Sequence, residues 1–367
     1  MKVAFAGGGT GGHVFPAIAI IEELKKRDPH LQLMYIGKSG SVEEKVASEM
    51  MIPFRPIIVR GLPNSNPVKK LLSLVSAGIG LAQSLAILLR FRPQAVIGTG
   101  GYVSFPPVLA ASILRIPSLI HEQNCIPGKA NRLCSRFADV LTVNFSECVQ
   151  YFPGKTAQVV GIPIRSVFLP ERLKPIDIVE SRRKLGLSPT KFTVFVLGGS
   201  RGAHALNVAI VDALPHLDPQ RIQLICMTGT DDYRRVRDAC ERAGITAAVF
   251  QFVEEMVAAY TAADLMLSRS GASTLAEICA VGLPAILVPY PHSADRHQEL
   301  NARALVEVGA AEMILNGDLR GDVLAEKIKL LSNDEATLQL MGARSRECGK
   351  PDAAERIVNL LFEMTFA

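Results

Sequence analysis

Val3-Ala4-Phe5-Ala6-Gly7-Gly8-Gly9-Thr10-Gly11-Gly12-His13 is an apolar run that stops in five glycines within six residues. A short run without polar alternation reads as a strand covered on both faces. The glycines read as a tight turn, and the pattern Ala17–Arg27 reads as a helix. The same figure returns about half a chain later, where Val194–Leu197 runs into Gly198-Gly199-Ser200-Arg201-Gly202-Ala203. Working outward, strand-like runs stand at Leu33–Ile36, Ala95–Ile97, Ser118–Ile120 and Val140–Val143. A second series holds Thr193–Leu197, Gln223–Met227, Leu265–Leu267 and Ala285–Val288, with helical patterns such as Asn207–Leu214 between. Buried strands alternating with helices specify an α/β chain with two Rossmann-like, doubly wound parallel-sheet domains facing a cleft. Gly161 to Pro189, with prolines at 163, 170, 175 and 189, reads as the connection between them.

Composition agrees with this. The 367 residues are 49% hydrophobic and 20% charged, too apolar for a disordered chain and long enough for two domains. The net charge of +5 is a mild excess, so no nucleic-acid partner is expected, while anionic phosphates or lipid heads suit it. Seven cysteines without a C-x-x-C pair argue against a disulfide framework or a zinc site and fit a reducing cytoplasm. The amino end lacks the pattern of a secretory signal.

Glycine loops between a strand and a helix let backbone N–H groups approach a phosphate, with help from the helix dipole. Gly7, Gly9 and Gly12 satisfy G-x-G-x-x-G, but the strand ending at Ile36 is followed by Gly37-Lys38-Ser39 and not by a ribose-binding acid. A nicotinamide or flavin dinucleotide is therefore disfavoured, and no cofactor is expected. Three further loops share the design: Gly98-Thr99-Gly100-Gly101-Tyr102, Gly198–Ala203, and Arg269-Ser270-Gly271-Ala272-Ser273-Thr274. Two such loops in each half point to phosphate-rich ligands in both domains. No P-loop and no G-x-S-x-G elbow is present. His292 and His297 lack zinc-protease spacing, so no protein-bound metal is expected. His13 at the mouth of the first loop can act as base, acid or hydrogen-bond donor near neutral pH. Polar clusters also close two strands, at His121-Glu122-Gln123-Asn124 and at Asp295-Arg296-His297-Gln298 with Asn301.

Leu71–Leu89 is nineteen residues without a charge, long enough to span a membrane. A span would divide the first domain, because Ala95–Ile97 must pair with Val3–Ala6. On a helix, Ser73, Ser76, Gly80, Gln83 and Ser84 gather in one arc and the rest is apolar. Part of the segment should cover the sheet. The excess, flanked by Lys69, Lys70, Arg90 and Arg92, suits shallow insertion at an anionic bilayer.

Six blocks stand in order: GGGTGGH (7–13), GTGGYVSFPP (98–107), HEQNCIPGKANR (121–132), GGSRGAHALN (198–207), RSGASTLAE (269–277) and DRHQELNA (295–302). Together they resemble the MurG family, the UDP-N-acetylglucosamine transferases of peptidoglycan synthesis in glycosyltransferase family 28. The resemblance covers nearly the whole chain. It implies the GT-B architecture: an acceptor and membrane domain at 1–163, a UDP-GlcNAc domain at 164–345, and a carboxyl-terminal helix, 346–367, packing back on the first domain. It implies inverting transfer of N-acetylglucosamine from UDP-GlcNAc to the 4-hydroxyl of undecaprenyl-diphosphate-linked N-acetylmuramyl-pentapeptide, lipid I becoming lipid II. A peripheral position on the cytoplasmic side of the cell membrane, with divisome and elongation proteins as partners, follows from the same likeness.

Carried over by position, the resemblance places Thr10, Gly11, Gly12, Asn124 and Arg165 at the donor. In the second half it assigns the donor to Ser200, Val253, the run Ala272, Ser273, Thr274, Leu275, Ala276 and Glu277, and Gln298. Glu277 is implied to hold the ribose and Gln298 the sugar. His13 and Glu122 are the catalytic candidates, the base being either one, and Tyr102 and Asn207 are implied at the acceptor. Ile162 departs from the family, which usually has Asn there. The alternatives on this fold are a diacylglycerol glycosyltransferase, a UDP-sugar epimerase or a silent UDP-sugar-binding subunit. The HEQN and GTGGY blocks argue against the first two, and the intact His13, Glu122 and Glu277 against the third.

Overall fold

The computed structural model describes residues 1–61, 67–173, 177–199 and 202–366. The chain divides into two compact units, Met1–Arg165 with Pro351–Ala367, and Ser166–Lys350. In chain order, unit 1 holds β1 (Lys2–Gly7), α1 (Gly11–Arg27), β2 (Gln32–Gly37), α2 (Val42–Glu49), β3 (Phe54–Pro56), α3 (Pro67–Phe91) and β4 (Ala95–Gly100). It continues with α4 (Phe105–Ile113), β5 (Ser118–Glu122), α5 (Lys129–Cys134), β6 (Val140–Val143) and β7 (Ala157–Val159). Unit 2 begins with α6 (Pro170–Leu173), α7 (Ile178–Lys184), β8 (Phe192–Leu197), α8 (His204–Ala213), β9 (Ile222–Met227), α9 (Tyr233–Arg242) and β10 (Ala247–Phe250). It ends with α10 (Met256–Ala262), β11 (Leu265–Ser268), α11 (Ala272–Val281), β12 (Ala285–Leu287), α12 (His297–Glu307), β13 (Ala311–Met313), α13 (Gly321–Ser332) and α14 (Glu335–Cys348). The last helix, α15 (Ala353–Phe366), returns to unit 1.

Each unit carries one parallel sheet, ordered β3-β2-β1-β4-β5-β6-β7 in unit 1 and β10-β9-β8-β11-β12-β13 in unit 2. Both reverse order beside their first strand, between β1 and β4 and between β8 and β11, where ligands of open α/β sheets bind. The expected pairing of the first and fourth strands is present, Val3 opposite Ala95 and Phe5 opposite Ile97.

Strand periodicity divides the first core in two. Val3 and Phe5 point to one face of the sheet, with Ile20, Ile21 and Leu24 of α1 and Ile357, Val358 and Leu361 of α15. Ala4 and Val96 point to the other, with Leu88 of α3 and Ala110 of α4. Each fully buried Ile or Leu here contributes roughly 1.5–3 kcal/mol relative to exposure. The core of unit 2 is built likewise from Val194 and Val196 with Leu206, Ile210, Val236, Leu324 and Ile328. The units part at 165/166 and 350/351, a few residues from the 163 and 345 read in the sequence. Position 345 lies inside α14, where the Ser345 hydroxyl bonds to the Ile278 carbonyl of the same unit.

Leu71–Phe91 is long and apolar enough to cross a membrane by length and composition, with a mean hydropathy of 1.9. Its small polar stripe faces inward. Ser73 donates to the Gly61 carbonyl, Ser84 to that of Gly80, and Gln83 accepts from the Ile58 N–H. Ser73, Ser76, Gly80 and Ser84 are buried. A methyl on Gly80 would lie 2.7 Å from the Ile58 carbonyl oxygen, so the glycine sets a close approach. The apolar residues of its first half face out, with Leu71 63%, Leu74 62% and Val75 53% exposed, joined by Leu72 and Ile79, while Leu88 lies in the core. The side chains of Lys69 and Lys70 lie outside the described residues.

Candidate active site

In unit 1 the first glycine loop interlocks with the second. Gly8 N–H donates to the Gly100 carbonyl at 3.2 Å, and the Thr99 hydroxyl donates to the His13 carbonyl at 2.7 Å. Gly100 and Gly101 hold φ of +103° and +77°, which L side chains rarely adopt. A side chain on Gly100 would meet the His13 ring, 2.6 Å from Nδ1, and one on Gly101 would meet the Gly8 carbonyl. The two loops thus seat the half-buried His13 ring against bare backbone. Thr10 takes the N-cap position of α1 in extended conformation, and its carbonyl receives the N–H groups of His13 and Val14. Thr10 and Gly12 are exposed, beside Gly11 and the free end of the helix. Tyr102 stands 37% exposed, with its ring against Gly61.

The glycines of the first loop serve different ends. A methyl on Gly7 would lie 2.0 Å from Thr99 Oγ1, and one on Gly8 would meet the Glu43 carboxyl at 2.3 Å. Gly9 needs its φ of +87°, and Gly12 has only Thr10 Oγ1 near, at 3.7 Å. A tight turn accounts for one or two glycines of the five; Gly7 and Gly8 are required by packing beneath the loop.

Glu122 closes β5 and is 1% exposed. Oε1 accepts from the backbone and side-chain nitrogens of Asn124, at 2.9 and 3.1 Å. Oε2 accepts from Gly128 N and Asn131 Nδ2, at 3.1 and 2.8 Å. Four N–H donors on one buried carboxylate make it the anchor of the 122–131 turn. As an acceptor with its lone pairs engaged, it is poorly disposed to take a substrate proton. Asn131 also donates to the His121 carbonyl and lies against Gly100, while Gln123 donates to the Thr99 carbonyl. Gln123 belongs to the polar cluster singled out at the end of this strand, whereas Asn131, later in the 121–132 block, carries no chemical signature of its own. His121 is fully buried, and burial lowers its pKa to about 3, so the ring is neutral. Its Nδ1 pairs with Thr142 Oγ1 at 3.0 Å.

Arg165 lays its guanidinium over the Phe15 ring at 5.1 Å, a cation–π contact that fixes it beside α1. Ile162, three residues before it, is buried.

In unit 2, Gly199 and Gly202 of the third loop hold φ of +86° and +73°; Ser200 lies outside the described residues. Asn207 stands on α8. It is 1% exposed and gives its amide hydrogens to the Thr228 carbonyl and Asp232 Oδ2, both at 2.9 Å. It ties α8 to the end of β9.

Gly271 caps α11 in extended conformation with no side-chain cap, leaving the N–H groups of Ala272, Ser273 and Thr274 for a ligand. The Leu275 side chain is packed in the core, so only its backbone faces the first turn; Ala276 is half-buried. Glu277 is buried, and the Tyr260 hydroxyl donates to its Oε2 at 3.1 Å. Tyr260 is held edge-on by Phe168 and Phe195, with centroids at 5.0 and 5.6 Å. Nothing in the sequence marks Tyr260, which lies inside a plain apolar helix. The Ser270 hydroxyl donates to the Gln298 carbonyl, and Gln298 Oε1 accepts from Tyr290 N, so Gln298 stands beside α11. Asp295 and Arg296, non-glycine residues at φ of +50° and +54°, make the turn that delivers it. Arg269 spans the Val288 and Pro289 carbonyls and Asn316, and burial lowers its pKa. Val253 is buried next to the exposed Phe252.

Residues 3–142 match the glycosyltransferase family 28 N-terminal domain and residues 193–357 its C-terminal domain. A protein of Desulforudis audaxviator is 41% identical over 98% of each chain and is named UDP-N-acetylglucosamine--N-acetylmuramyl-(pentapeptide) pyrophosphoryl-undecaprenol N-acetylglucosamine transferase. The crystal structure of Acinetobacter baumannii MurG superposes with a TM-score of 0.77 over 99% of each chain at 28% identity. A UDP-GlcNAc 2-epimerase of Neisseria meningitidis, bound to UDP-GlcNAc, superposes with a TM-score of 0.67 over 99% of this chain at 14% identity, a likeness of fold alone.

Proposed function

The chain belongs to glycosyltransferase family 28, and from that premise we propose that it transfers N-acetylglucosamine from UDP-GlcNAc to the muramyl 4-hydroxyl of undecaprenyl-diphosphate-linked N-acetylmuramyl-pentapeptide, making lipid II from lipid I in peptidoglycan synthesis. The observation that carries this reading is full-length identity of 41% to a relative named for that reaction. The epimerase alternative rests on fold alone.

The transfer inverts the anomeric centre, so one displacement needs a base on the acceptor hydroxyl and a stabilised UDP leaving group. In this reading His13 is the base: its ring stands at the loop mouth, whereas the carboxylate of Glu122 is committed to four N–H groups. The uncapped first turn of α11, from Ala272 to Leu275, receives the diphosphate, whose growing charge meets preorganised N–H groups. Glu277, aimed by Tyr260, takes the ribose hydroxyls, and Gln298 takes the sugar. Val253 meets the uracil through its backbone. Thr10, Gly11, Gly12, Asn124 and Arg165 are the donor contacts of unit 1, and Tyr102 faces the acceptor.

The acceptor's polyprenyl chain stays in a bilayer, so unit 1 docks on the cytoplasmic membrane surface through the outward leucines of α3. Divisome and elongation proteins are the partners this reading expects. Labelled UDP-GlcNAc and a lipid I analogue test it. Transfer with inversion is the expected result, and UDP-GlcNAc binding without transfer to that acceptor overturns it.

A further inference from the structure

One ionisable group beneath the first loop has no place in this mechanism. Glu43, the second residue of α2, is 1% exposed. Its Oε2 accepts the Gly9 N–H at 3.2 Å and its Oε1 the Lys38 N–H at 3.3 Å. Glycines just past β1 and at the end of β2 leave room for it, the second also for Phe54. A methyl on Gly8 would lie 2.3–2.6 Å from the carboxyl atoms, and one on Gly37 would lie 2.8 Å from Cγ. The loop it holds passes through Gly9 at φ of +87° and delivers Thr10, Gly11, Gly12 and His13. A glycine-rich turn of this kind has many backbone conformations, and a ligand that had to order it would bind more weakly for doing so.

We propose that Glu43 is a positioning residue for transfer: an internal anion that occupies the Gly9 N–H, orders the loop before the acceptor arrives and thereby sets His13. This rests on the function proposed above. The carboxylate does inside the protein what a bound phosphate does in other glycine loops, and leaves the N–H groups at the start of α1 for the acceptor's diphosphate. Three other bonds hold the same segment from below, from Tyr35 Oη to the Gly7 carbonyl, from Gly8 N to Gly100 and from Thr99 to His13. Glu43 is the only charged partner among these described bonds.

Four variants test it in the full-length protein: Glu43→Gln, Glu43→Ala, Gly8→Ala and the double Gly8→Ala/Glu43→Ala. Glu43→Gln keeps the shape but turns an amide N–H₂ toward a backbone donor. It should lower acceptor kcat/KM by about 10- to 100-fold and speed exchange of the Gly9 amide, with UDP affinity unchanged because α11 belongs to unit 2. Gly8→Ala and Glu43→Ala should each lower Tm, one by crowding and one by leaving a void. In the double variant the new methyl fills the space left by the carboxylate, so Tm recovers while acceptor kcat/KM does not. Recovery of both would overturn the proposal, since Glu43 would then only fill space. Wild-type protein that failed to transfer would overturn the proposed function. Gly9 amide exchange in Glu43→Gln still decides the clamp in that case, and unchanged exchange overturns it.

Discussion

His13 sits in the first turn of α1 with its ring against the Gly100 backbone, in the unit that does not contain α11. His13→Ala should therefore reduce turnover by about 10²–10⁴-fold and leave UDP affinity intact. Equal losses in both, measured by steady-state rates and UDP titration, would remove the base from this position. Glu122→Gln should behave differently. The amide puts a donor where two of the four N–H groups point, at a cost of about 1–3 kcal/mol, so chemical denaturation should register the loss together with turnover. A variant of full stability without turnover would return the base role to Glu122. His121 adds a pH dependence. Its folded pKa of about 3 lies below the ordinary 6.5, so between these values the unfolded chain binds more protons. The stabilisation is complete above pH 6.5 and is lost as pH falls toward 3, with a slope of up to about 1.4 kcal/mol per pH unit. Denaturation of wild type and His121→Gln from pH 7 to 5 reads it, and equal slopes would remove His121 as the source. At this scale the sequence singled out His13 by the chemistry of its residue type, and Glu277 and Gln298 only through the family resemblance. It was silent on Glu43 and Tyr260, which matter through what they hold.

Among the elements, α3 turns its serines and Leu88 inward and Leu71, Leu72 and Leu74 outward. Periodicity identified the stripe but could not tell which side faced the protein. Serine hydroxyls reach carbonyls of their own helix or of Gly61, so burying them costs little, and small residues allow the approach to Ile58. The two faces predict opposite phenotypes. Leu71→Glu, Leu74→Glu and Val75→Glu together should leave Tm unchanged and abolish co-sedimentation with anionic vesicles, while transfer to a water-soluble acceptor persists. Ser76→Leu on the inner face should lower Tm by overpacking, about 1–3 kcal/mol of stability, without touching vesicle binding. A triple variant that still sediments would move the docking surface elsewhere. The strands divide in a similar way. The nine apolar runs read from the sequence are the inner strands, buried on both faces. The four strands that escaped notice, β3, β7, β10 and β13, are the sheet edges, only three or four residues each.

On the scale of the whole molecule, the restart of the strand series at Val194 made the two-domain plan legible, because a doubly wound sheet must begin again from a central strand. The residues that complete unit 1 were less so, since α15 joins a core more than 350 residues from its first strand through contacts that no local pattern marks. Ile357, Val358 and Leu361 are fully buried against α1. Ile357→Ala with Leu361→Ala should cost about 2–5 kcal/mol per site in unit 1, while UDP binding by unit 2 survives. A single unfolding transition shifted together with loss of UDP binding would mean that the units do not unfold separately. The return of α15 also orders events during synthesis. Residues 166–350 leave the ribosome after β7 and before the helix that closes the first core. At about 5–20 residues per second, the apolar face of the nascent first sheet waits roughly ten to forty seconds for its cover. Over that interval the second unit can finish folding while the first is still open to chaperones. A ribosome stalled short of codon 353 would then release a chain with one mature half and one exposed half.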